Sequence, residues 1–138
     1  MAEATKIDFR YRRMNELGDV TDLVGILFPG NRNQQHAAAR ILLALKATRN
    51  PLPSLGHLQQ QYSISRRTIE RTRAKLARLG LIEHASPLSS RYSGQVGWTL
   101  SSRMSTALRQ LADRIDGWRR DTRPERREKD DRLVGVIS

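Results

Sequence analysis

The stretch from Ser63 to Glu83 constrains the fold of this chain more than any other. Ser65 is suited to cap a helix, because its hydroxyl can take one of the orphan backbone N–H groups of a first turn. Beyond it Ile69, Thr72, Leu76 and Leu79 recur at spacings of three and four, which is a single helical face. Gly80 then supplies the stop, since glycine enters the left-handed conformation that ends many helices at little cost. The opposite face carries Arg66, Arg67, Glu70, Arg71, Lys75 and Arg78. The spacing therefore predicts a helix over 65–79 with one apolar face and one wet, largely positive face.

The flanking residues extend this unit. Ser54 to Tyr62 reads as a short helix with Leu55, Leu58 and Tyr62 on one face and Ser54 as its cap. Ser63-Ile64 leaves only a tight turn before Ser65. Two short helices across such a turn, the second basic, make a helix-turn-helix. Downstream, Leu81 to Ala85 is strand-like and Pro87 to Gly94 is rich in turn residues. Gln95 to Leu100 alternates, with Val96, Trp98 and Leu100 expected on the half-buried face of a strand. Strand, loop and strand after two such helices form a wing.

Ser54 to Ser101 thus resembles a winged helix-turn-helix domain of prokaryotic transcription regulators. The resemblance rests on Leu58-Gln-Gln-Gln-Tyr-Ser-Ile-Ser65, the arginines that follow, and Leu76-Ala-Arg-Leu-Gly-Leu-Ile82. Gln59 stands where that pattern has a small residue, and Ser63 where it has the turn glycine. A left-handed residue other than glycine costs roughly 1 kcal/mol. The expected fold is mainly α with a small antiparallel β wing: a winged helix-turn-helix at 19–101, preceded by an arm or short strand at 1–18. A C-terminal dimerisation helix at 102–120 and a charged flexible tail at 121–138 complete the expectation.

Charge points the same way. The chain of 138 residues has 25 Lys and Arg against 14 Asp and Glu, a formal charge of +11. That balance implies a polyanion, nucleic acid before membrane. Cysteine is absent, which excludes a disulfide framework and thiolate metal sites. No apolar leader and no membrane-length apolar run occurs, so a soluble, cytoplasmic protein is expected, nucleoid-associated when bound to DNA.

Elsewhere, Met1 to Thr5 is expected to be disordered. Lys6 to Arg13 alternates, with Ile7, Phe9 and Tyr11 on one side, as a short strand or a basic arm would. Asp19 can cap a helix through Val20, Leu23, Val24 and Leu27, broken by Pro29-Gly30. Asn31 or Asn33 can cap a longer helix to Thr48 whose buried stripe is Ala37, Ile41, Leu42 and Leu45. From Ser102 to Arg120, Met104, Leu108, Leu111, Ile115 and Trp118 fall four, three, four and three apart. That is a coiled-coil seam of about two heptads, expected to hold a homodimer. Arg119 to Arg132 mixes both signs of charge around Pro124, and Leu133 to Ile137 is expected to dock as a strand or to meet a partner.

Catalytic signatures do not appear. His36, His57 and His84 lack the spacing of metal ligands. No phosphate-cradling glycine loop and no nucleophile elbow occurs. No enzyme activity, cofactor or metal is expected, and no residue set identifies a small-molecule effector. The expected function is sequence-specific binding of double-stranded DNA by a dimeric transcription regulator. Ser65, Arg66, Arg67, Thr68, Glu70 and Arg71 would face the major groove, Lys75, Arg78 and Arg103 the phosphates, and Arg91 and Tyr92 would act from the wing. The alternatives are a protein-interaction or assembly module, and a plasmid or viral replication or partition protein.

Overall fold

The computed structural model describes residues 6–88 and 90–137. Met1 to Thr5 lie outside the described residues. The chain divides into two compact units, Met1–Arg103 and Met104–Ser138. It is mainly helical, with a small two-stranded antiparallel sheet.

In the first unit the caps fall where side-chain chemistry places them. Helix α1 is a single turn, Tyr11–Asn15. Helix α2, Val20–Leu27, starts at Asp19, whose carboxylate accepts the N–H groups of Thr21 and Asp22. The hydrogen bond from the Thr21 side chain, then those from the backbone, hold the Asp19 carboxyl below its usual range. Helix α3, Arg32–Lys46, starts at Asn31, whose side chain accepts from the Gln34 N–H. Its buried stripe is Ala37, Ala38, Ile41, Leu42 and Leu45.

Helix α4, His57–Gln61, begins later than expected. Its cap position is Gly56, and the Ser54 hydroxyl accepts the Gly56 N–H in the turn before it. Helix α5, Arg66–Leu79, is capped by the Ser65 hydroxyl, which accepts the Thr68 N–H at 3.1 Å, and ends on Gly80 in the left-handed region. Ser63 is itself left-handed, φ 53°, so the chain turns at the serine in place of the expected glycine. Leu55, Leu58, Ile64, Ile69 and Leu76 are buried with the α3 stripe. Each such side chain contributes roughly 1.5–3 kcal/mol by leaving water.

Strand β1, Ile82–Ala85, pairs antiparallel with β2, Gly97–Leu100, in the register Ile82 to Leu100 and Ala85 to Gly97. Leu52 adds a third rung, exchanging both backbone hydrogen bonds with Trp98 at 3.0 and 2.8 Å. Burial along β2 corrects the expected strand face. Val96 and Leu100 are exposed and Trp98 is half-buried, whereas Gly97 is buried. Gly97 has φ 143°, and a Cβ there would lie 2.5 Å from the Leu52 carbonyl carbon and oxygen. Only glycine admits the Leu52 backbone at that distance.

Two terminal expectations are corrected. Residues 6–10 form no strand; the Asp8 N–H donates to the Ile26 carbonyl, and the chain then enters α1. The Arg10 guanidinium beside Asp8 holds its carboxyl down to about 2. In the second unit, α6 spans Arg103–Arg120 as expected, but the charged segment is helical, α7, Pro124–Ile137. Leu133 to Ile137 belong to that helix and form no strand. Lone Pro124 opens α7 because proline at a first helical position loses only an N–H that would be unpaired anyway.

Candidate nucleic-acid interface

Helix α5 divides its cations by direction. Successive residues turn by about 100° around a helix, so Arg67, Arg71, Ala74 and Arg78 form a stripe opposite buried Ile69, Thr72 and Leu76. Arg67, Arg71 and Arg78 are exposed, and they make no hydrogen bond or ion pair within the described residues. Three unpaired guanidiniums thus lie along about three turns of one helix.

The two cations at the margins of the buried stripe are occupied instead. Lys75 points to one side. Its ammonium donates to the carbonyl of Leu27, the last residue of α2, and to that of Lys6 at 2.9 Å. It also lies 4.3 Å from the centre of the Phe28 ring. An ammonium at a helix C-terminus meets carbonyls that lack intrahelical partners and the negative end of the dipole. Desolvation, and then the charge of Arg78, lower the Lys75 pKa. The expected phosphate contact is therefore a structural pin between α5, α2 and the N-terminal segment. On the other margin the Arg73 guanidinium lies 4.9 Å from the centre of the Trp98 ring, which packs edge-on against His84. Arg73 was not expected to matter. Its place four residues after Ile69, at the edge of the apolar stripe, was the available signal, but its aromatic partner lies on a distant strand.

The remaining expected residues separate in the same way. Ser65 and Thr68 bond to each other, hydroxyl to hydroxyl at 2.8 Å, as part of the cap. Arg66 and Glu70 form an ion pair at 2.9 Å one turn apart. Arg103 pairs with Glu83 at 3.1 Å, and the Ser101 hydroxyl accepts its N–H. Tyr92 does not reach outward: its hydroxyl meets that of Thr99 at 3.2 Å and the side chain is half-buried. Arg91 stays exposed, stacked at 5.5 Å over the Tyr92 ring. A second cluster beside α4 was also missed. Arg40 lies 4.0 Å from the centre of the Tyr62 ring and donates to His36 Nε2.

Among the described residues no group of His, Cys, Asp or Glu is arranged to hold a metal ion, and no helix is long and apolar enough to cross a membrane. In the second unit, neither α6 nor α7 has a buried residue. The seam residues Leu108, Leu111, Ile115 and Trp118 are all exposed, Trp118 by 64%, and Met104 is half-buried. Comparison with protein-family models, curated proteins and solved structures gives no match.

The division of cations carries a prediction. Lys75→Met keeps the aliphatic stem but removes the ammonium from two carbonyls and a ring. It is expected to destabilise the first unit by about 1.5–3 kcal/mol, the range for charged hydrogen bonds. Thermal melting measures this, and an unchanged melting temperature would return Lys75 to the free surface.

Proposed function

We propose that this chain is a sequence-specific double-stranded DNA-binding protein, a winged helix-turn-helix that acts as a dimeric transcription regulator. The observation that carries the reading is the stripe of Arg67, Arg71 and Arg78. Nothing in the fold requires three unpaired guanidiniums on the face of α5 opposite its buried stripe. Such forks match the O6 and N7 acceptors of guanine or the oxygens of phosphate. Helix α5 follows α4 across a four-residue turn, an arrangement that lets a second helix enter a major groove. The β1–β2 loop, with exposed Arg91, then serves as the wing. Arg66 and Glu70, already paired, present a polar edge beside the stripe, and Glu70 orients Arg66.

The second unit supports the dimer reading. Two helices without a buried residue do not form a self-sufficient core, since units of this size need another source of stability. A second copy of α6 meeting the Leu108, Leu111, Ile115 and Trp118 seam supplies that source, with Met104 at its start. A replication or partition protein would use the same chemistry at iterated sites, whereas a dimeric regulator would favour an inverted repeat.

The double variant Arg67→Ala/Arg71→Ala tests the binding surface. Its stability is expected to stay within about 0.5 kcal/mol of wild type, because both side chains are exposed. Binding to the selected site should weaken by about 1–3 kcal/mol for each arginine that grips a guanine, with relaxed preference at that base pair. Full retention of affinity and base preference would point to a protein-interaction module.

Leu108→Glu/Leu111→Glu tests the dimer. Sedimentation should show a monomer whose first unit melts as in wild type and whose DNA affinity is reduced. A dimer that persists would remove the seam as the interface.

A further inference from the structure

The β1–β2 loop carries one side chain that the proposed binding surface does not use. Leu88 is 93% exposed. The Leu88 N–H donates to the Ser86 hydroxyl at 3.1 Å, and Pro87 between them has a restricted φ. On the returning side, Ser93 and Gly94 are both left-handed, and the Gln95 N–H donates to the Tyr92 carbonyl at 3.0 Å. A Cβ on Gly94 would lie 3.5 Å from the Pro87 carbonyl oxygen, so the two sides of the loop are in near contact. Tyr92, the other large side chain of the loop, is tied back to Thr99. The loop thus folds its aromatic inward and leaves its leucine in water.

The charge around this leucine selects its partner. From Ser86 to Ser101 the sequence contains no Asp or Glu, and Arg91 is exposed in the same loop. A lone leucine between Pro87 and Ser89 offers too little apolar area for a protein interface, which needs a contiguous patch. A base step, by contrast, accepts a single aliphatic side chain. Leucine is among the wedges that enter minor grooves, partly unstack a step and kink the duplex.

We propose that Leu88 is such a wedge, inserting between base pairs in the minor groove while Arg91 meets the flanking phosphates. The inference rests on the DNA-binding reading above. It adds DNA bending to sequence reading, and it favours a pyrimidine–purine step at the insertion point, because such steps unstack most readily.

The test uses the full chain and a duplex that the wild-type protein selects from random sequences. 2-Aminopurine replaces each adenine in turn, and a dye pair on the duplex ends reports bending. Wild type should raise the fluorescence of 2-aminopurine at one flanking step in each half-site and shorten the end-to-end distance. Leu88→Ala should abolish both signals, melt as wild type does and lose no more than about tenfold in affinity, because phosphate contacts dominate affinity. Leu88→Met should restore both signals. If Leu88→Ala bends and unstacks the duplex as wild type does, or if wild type binds without either signal, the wedge is excluded and the DNA-binding reading stands. If wild type selects no duplex, that reading fails and the wedge with it.

Discussion

The burial of Ile69, Thr72 and Leu76 on the α3 side of α5 is the constraint on which the rest of the first unit depends. It sets the rotation of α5 about its own axis, and so decides where every polar residue of that helix points. Ala37 and Ala38 on α3 are fully buried in the same core. The arrangement has a local cost, because the Thr72 hydroxyl is buried without a hydrogen-bond partner among the described residues. An unsatisfied buried hydroxyl costs about 1–3 kcal/mol.

From that rotation the helix acquires four kinds of cation, of which Arg66 is paired with Glu70 one turn along. Lys75 satisfies the carbonyls at the end of α2 and covers Phe28. Arg73 covers Trp98 and so ties α5 to the sheet. Arg67, Arg71 and Arg78 are left without internal partners. Net charge alone would have grouped all of these as one basic surface. Only the last three form the outward stripe on which the proposed DNA contact is built, and only they are free of a structural task.

Much of this was legible in the sequence, where the signal is local. Asp19, Asn31 and Ser65 cap the helices they precede, and Gly80 ends α5 in the left-handed region. Periodicity placed the buried stripes of α3 and α5. The errors lie where a distant partner decides. Alternation predicts Val96 and Leu100 on the buried face of β2, but both are exposed, and Gly97 is buried where the distant Leu52 backbone closes on it. Spacing puts Lys75 on the wet face, whereas its partners Leu27 and Phe28 are far from it in sequence. Tyr92 was assigned outward because its Thr99 partner lies beyond the loop. The segment after Pro124 was read as flexible from its mixed charge, yet an i, i+4 pair, Arg126 with Asp130 at 3.0 Å, supports it as helix.

Selection of bound sequences from a random duplex library tests the central claim most directly. A dimeric reader of the major groove predicts enrichment of an inverted repeat, its half-sites about one helical turn apart or a multiple of that. Enriched direct repeats would assign the same surface to an iterated-site protein. A bound pool indistinguishable from the input would contradict sequence-specific recognition by α5.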